Sequence, residues 1–285
     1  MKKISLIGFL FVSFLAFPHT HSLQLVKSGG DTLLERISLP YGFERVSAEE
    51  NSFAEYLRNY PLKKAGSPVL LFNGNEKQNQ VAHAAVFNLK IESEMQKSVQ
   101  SVIHLYSDFY LKNHLEDKIA FHLTNGEVCS WNEWLEKSNF KRKTRQEVSG
   151  NLKKWTKYEA SELSSDSKSE IYKSYLKNVF ANTSPLSVME YESSQVKMEE
   201  VQIGDILFDL GQPEHICLVV DMIKNKKTGE KAFLLAQGSN PAQEFHIIKN
   251  PKRENDPWYY EEDFISLLKT PEYAFPKDSF RHLKY

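Results

Sequence analysis

Nine histidines and two cysteines carry most of the reactive chemistry in this chain of 285 residues. His215 opens the apolar run Ile216–Val220, and His246 lies in the run Phe245–Ile248. His83 stands within Asn79-Gln80-Val81-Ala82-His83-Ala84-Ala85-Val86, where small neighbours leave room for a ligand or another strand. An imidazole can act as a base, a metal ligand or a hydrogen-bonding residue near neutral pH. The three histidines are scattered, with no H-x-H or H-x-x-x-H spacing and no acidic residue at ligand spacing, so no metal site is expected. Cys217 sits inside an apolar strand and reads as a small core residue, while Cys129 follows a hairpin turn. Two cysteines in a chain of this length make no disulfide framework, and both are read as free thiols. There is no G-x-x-x-x-G-K-[ST], G-x-G-x-x-G or G-x-S-x-G, so nucleotide and α/β-hydrolase chemistry lack their motifs and no cofactor is expected.

The elements that must position these residues follow from hydrophobic periodicity. Four short strands around Gln202–Phe208, His215–Met222, Lys231–Ala236 and Phe245–Ile248 are separated by compact turns, the pattern of an antiparallel meander. Their nearly continuous apolar character predicts a sheet covered on both faces by helices. Helical spacing of Met95, Val99, Val102, Ile103, Tyr106, Phe109 and Tyr110 predicts a helix over Glu94–Lys112. Shorter helices are expected at Phe53–Asn59, from Trp131 and over Lys168–Phe180, and strands at Val69–Phe72 and Val81–Ile91. Lys118–Leu123 and Glu127–Ser130 flank Thr124-Asn125-Gly126 as a hairpin. The fold class is therefore α+β: an antiparallel sheet packed by helices.

Lys2-Lys3, the apolar run Ile4–Phe17 and Thr20-His21-Ser22 have the order of a secretory signal peptide, shorter than the roughly 20 residues of a spanning helix. Residues 1–22 are read as that signal, and residues 23–285 as one α+β domain with a polar, mobile insertion at 140–168. No cysteine follows the apolar run, which argues against a lipoprotein, and no later stretch is long and apolar enough for a stable membrane span. The expected location is periplasmic or secreted. Lys+Arg of 36 against Asp+Glu of 37 gives a net charge of −1, which argues against nucleic acid as a partner. With 41% hydrophobic and 26% charged residues, the chain has a globular composition and not that of a disordered segment.

Two resemblances add to this reading. From about Ile37 to Phe275 the chain resembles the DUF4846 family, a group of uncharacterised exported bacterial proteins. Leu39-Pro40-x-Gly42-Phe43-x-Arg45, Asn79-Gln80 with His83-Ala84-Ala85-Val86, Gly204-Asp205, Phe233-Leu234-Leu235-Ala236-Gln237, Pro241-Ala242-Gln243 and Trp258-Tyr259 carry it. It implies an exported bacterial context and no established activity. Among its polar positions, Asp205 and Gln243 join His83 as ligand-binding candidates. Over Ile203–Ile248 the chain also resembles NlpC-type papain-like hydrolases, in which a cysteine at a helix start attacks an acyl carbon. That resemblance implies His215 as general base, Gln237 (or His246) as the residue orienting its ring, and the Glu94–Lys112 helix as the nucleophile's support. This helix holds no cysteine. Ser98 is the hydroxyl near its start, and Cys129, ahead of the Trp131 helix, is the backup thiol. The expectation is a cell-envelope module that binds a peptide or glycan on a papain-like scaffold without its thiol. The alternative is an active hydrolase or transferase of peptide or amide bonds.

Overall fold

The computed structural model describes residues 24–138, 165–209, 211 and 214–285. Within these residues the helices are α1 (Leu33–Arg36), α2 (Phe53–Arg58), α3 (Ser98–Lys112), α4 (residues 131–138), α5 (Ser165–Asn182) and the single turn α6 (Pro185–Ser187). The strands in chain order are β1 (Phe43–Arg45), β2 (His83–Val86), β3 (Ala120–His122), β4 (Val128–Ser130), β5 (Ser193–Gln195) and β6 (Ile206–Asp209). They continue as β7 (His215–Asn225), β8 (Lys231–Gln237), β9 (His246–Ile248), β10 (Tyr259–Tyr260), β11 (Leu267–Lys269), β12 (Ala274–Pro276) and β13 (Phe280–Leu283). All of the expected signal segment at 1–22, and most of the expected insertion at 140–168, lie outside the described residues.

The β7–β8 hairpin is the spine of an antiparallel sheet of nine strands. On the outer edge of β7, β6 pairs with its first half and β1 with its last three residues. On the outer edge of β8, β9 pairs near its end and β10 near its start. Beyond these, β2 joins β9, while β13 and then β5 extend the sheet past β6. Alternation along β7 and β8 sorts the side chains onto two faces. Ile216, Leu218, Val220, Leu234 and Ala236 pack with Val99, Val102 and Ile103 of α3 and with Tyr175 and Val179 of α5. Cys217, Val219, Phe233 and Leu235 face the other way, against Phe264, Leu268, Phe275 and Phe280. The first face is covered by helices, as expected. The second is not: the C-terminal segment with the β11–β12 hairpin covers it, since its aromatic residues supply the apolar surface.

Two further corrections have local causes. The long helix starts at Ser98 and not at Glu94, because the side chains of Gln96 and Ser93 bind the backbone N–H groups of Glu92 and Met95 and hold a turn there. The strand expected at Val81–Ile91 is confined to His83–Val86. Gln80 bonds Val69 N, Val69 O and Lys77 O, which fixes a 3-10 turn over Gln80–Ala82 and leaves Val81 exposed.

At the middle of β7 a bulge between Val219 and Asp221 places the fully buried Asp221 carboxylate toward two guanidinium groups. Arg45 Nε donates to one oxygen at 2.8 Å, and Arg58 Nε and Met222 N donate to the other, each at 2.8 Å. The arginines continue to the carbonyls of Ile37 and Val46. This knot ties α2 and β1 to the centre of the sheet.

Candidate functional site

The start of β7 and the end of β8 bring His215 and Gln237 together. The His215 Nε2 to Gln237 Oε1 distance is 2.8 Å, with both side chains almost completely buried. Gln237 Nε2 donates to Glu272 Oε2 at 2.8 Å, and Lys77 Nζ lies 2.6 Å from that same oxygen. A carboxylate paired with a lysine can only accept, so Glu272 fixes which end of the Gln237 amide faces His215. The amide oxygen facing the ring accepts in turn, so His215 carries its proton on Nε2 and keeps a lone pair on Nδ1. Among the described residues Nδ1 meets no hydrogen-bond donor.

Neighbouring groups complete the cluster. Tyr273 lies parallel to the imidazole at 3.5 Å between ring centroids, and its hydroxyl meets Ser239 Oγ at 2.6 Å. Cys217 Sγ lies 3.5 Å from Gln237 Oε1. His246 donates from Nδ1 to the Glu244 carbonyl at 2.8 Å, leaving Nε2 to face Gln237 Nε2 at 3.5 Å. Burial lowers both imidazoles: His215 to about 4, where the Gln237 bond opposes the shift and nearby Lys77 adds to it, and His246 to about 3. Both rings are neutral at pH 7.

Ser98 begins α3 and is also buried. It and His215 line one cleft of about 220 Å³ at the strand ends, together with Lys97, Pro185, Asn240 and Tyr273. The backbone of Gly238 closes against α3, where a Cβ would sit 2.6 Å from Ser101 Oγ and 2.9 Å from the Lys97 carbonyl. Among the described residues, however, no hydrogen bond joins Ser98 to His215. Strand alternation explains this: His215, Cys217 and Gln237 project from the face opposite α3.

The other candidates lie apart. His83 donates from Nε2 to the Ser67 carbonyl at 3.1 Å, and its buried Nδ1 has no partner. Its ring centroid is 6.2 Å from that of His246. Asp205 stands at the far end of β6, 2.6 Å from His282 Nδ1 and accepting from Gln202 N, with its carboxyl raised by burial. Gln243 is buried beside Leu71 and its Nε2 is unpartnered. Cys129 and Cys217 are both free. Burial pushes both thiols up, Cys217 far up, so neither is activated as a thiolate. No group of three or more His, Cys, Asp or Glu among the described residues could hold a metal ion, and no helix among them is long and apolar enough to cross a membrane.

A family model described as a domain of unknown function (4846) matches residues 33–282. The chain belongs to that family. No curated protein and no solved structure matches it. The family span contains the entire cluster, including three members that were not among the expected site residues: Lys77, Glu272 and Tyr273. Thr270-Pro271-Glu272 is a polar stretch distant from β7, and only the folding of the C-terminal segment over the sheet brings it to His215. A Glu and a Tyr side by side before the apolar pair Ala274-Phe275 were the available signal.

Proposed function

We propose that this is an exported cell-envelope protein that binds a peptide or glycan in the strand-end cleft between the start of α3 and His215, and does not cleave it. The observation that carries this reading is the division of the machinery between the two faces of the sheet. The residue at the head of α3 is a serine, and the imidazole that would activate it turns to the other face, under Tyr273. A base must come within hydrogen-bond reach of the proton it removes, and His215 is instead held by Gln237. The comparison with NlpC-type hydrolases belongs to this proposal as a likeness of scaffold: an antiparallel meander with a helix packed on one face. Export belongs to it too, resting on the order of residues 1–22.

Hydrolysis is the second reading, and one observation favours it. The Glu272–Gln237 chain selects the Nε2–H tautomer, leaving the Nδ1 lone pair that a general base uses. The experiment is to incubate the protein with sugar-free cell-wall stem peptides and follow binding by calorimetry and peptide mass by mass spectrometry. The expected result is saturable binding with unchanged masses, retained in Ser98→Ala and weakened in Tyr273→Ala. Steady release of amine or carboxyl ends, lost in His215→Ala while the melting temperature holds, replaces this reading with the hydrolase.

A further inference from the structure

Away from the strand ends, two cavities lie side by side along the loop 253–256. The larger, about 580 Å³, is lined by Lys64, Ser67, Glu76, Gln80, His83 and Lys249 among others. The smaller, about 440 Å³, is lined by Leu25, Pro40, Tyr41 and Arg253 among others. Glu254 and Asn255 border both. Each volume lies within the roughly 300–1,000 Å³ typical of small-molecule sites.

The walls are preformed. Leu25 N donates to the Asn255 carbonyl at 3.0 Å, and Tyr260 OH and Trp258 N both bond the Asp256 carboxylate. Arg253 is held by Asp263 at 2.8 Å and lies over the Tyr260 ring. At the outer end Tyr41 is 96% exposed, the most exposed of the large hydrophobic residues described. Phe43 N bonds the Pro40 carbonyl at 3.2 Å, and Gly42 takes φ 84°, a turn of type II geometry with Tyr41 at its first corner. The turn therefore presents an exposed aromatic ring at the mouth of the smaller cavity.

We propose that the two cavities form one groove for an oligosaccharide, with Tyr41 as the platform on which a sugar ring stacks. The lining chemistry selects this class. Lys64 and Lys249 are balanced by Glu76 and Glu254, so neither a phosphate nor a cation meets a matching field. Lysine, serine, glutamine and carboxylate side chains give the larger cavity both donors and acceptors, as a ligand with many hydroxyls requires, since each one left unpaired weakens binding. Leu25, Pro40 and Tyr41 give the smaller cavity an apolar surface that suits the C–H faces of a sugar. Tyrosine offers a large amphipathic surface at low conformational cost, suited to the C–H face of a pyranose.

This groove is distinct from the strand-end cleft, and the inference stands whether or not that cleft binds. The test titrates the full-length protein with β-1,4-linked N-acetylglucosamine oligomers of increasing length, read by calorimetry. Affinity should rise with length until the groove is filled. Tyr41→Ala, at a position too exposed to affect folding, should weaken binding roughly tenfold, while Tyr41→Phe stays within about threefold. Lys249→Ala should weaken it as well, which places the ligand in both cavities. Absence of saturable binding by every oligomer overturns the proposal, and so does binding that Tyr41→Ala leaves unchanged. Protection of this groove by sugar-free wall peptides alone makes it a peptide site and also sinks the proposal.

Discussion

Strand β7 carries two buried polar side chains, Asp221 and His215, and the fold treats them in opposite ways. Asp221 lies mid-strand in a bulge, and its two oxygens are saturated by Arg45, Arg58 and the Met222 amide. His215 lies at the strand's start with one ring nitrogen tied to Gln237 and the other meeting no donor among the described residues. The first arrangement neutralises a buried charge and joins α2 and β1 to the sheet. The second keeps a neutral ring in a fixed tautomer beside a cleft, with Glu272 and Lys77 acting through Gln237. The first site is saturated within the chain, whereas the second keeps one acceptor without a donor among the described residues.

The sharpest way to break this contrast is Asp221→Ala. Removing one partner of a buried charge network leaves the guanidinium groups uncompensated, and the expected loss is about 3–5 kcal/mol in urea unfolding. A loss below about 1 kcal/mol, the range of surface pairs, would show that Asp221 is not the structural member of the two.

Acid should strain the other site. His215 is lowered to about 4 and His246 to about 3, below the ordinary value of about 6.5. Between these values the unfolded chain takes up protons that the native chain refuses. Their contribution to stability is therefore fully present at pH 7 and is lost as pH falls from about 6.5 towards 4. For His215 this amounts to roughly 2–3 kcal/mol at pH 4.5, and His215→Gln should flatten that part of the curve. Stability of the wild type that stays level over this range would mean that the ring is open to solvent.

The smallest expected effect concerns the contact between cleft and helix. Gly238→Ala places a methyl group against Ser101 Oγ and the Lys97 carbonyl, and should destabilise by roughly 1–3 kcal/mol while shifting the start of α3. Amide exchange at residues 98–101 should speed up in this variant more than exchange at 218–220. Equal acceleration in both places would show that the α3 start and the sheet open as one unit.

The central sheet was legible in the sequence because β6 to β9 are apolar runs separated by turn residues, and both signals are local. The His215–Gln237 pair was legible for the same reason, since it joins neighbouring strands of one meander. Which face His215 projects from could also have been read from alternation with Ile216 and Leu218. Lys77, Glu272 and Tyr273 were not legible, because Lys77 and Glu272 meet across 195 residues and no periodicity carries that information. The partner of Asp205 was equally hidden: His282 reaches it only because β13 enters the sheet beside β6. The second face of the sheet was assigned to helices because burial predicts a cover but not its secondary structure.

The position of β13 has a consequence for how the chain is made. Asp205 and His282, which flank the β6–β13 junction, lie 77 residues apart in sequence. A ribosome releases β6, β7, β8 and β9 long before it releases the strand that shields the outer edge of β6. During that interval the nascent meander exposes a row of unpaired backbone groups, a template for any other extended chain nearby. Synthesis therefore passes through a sticky stage that ends only when Phe280–Leu283 arrives, and a chaperone or a translocation channel that keeps the chain extended until then shortens the exposure.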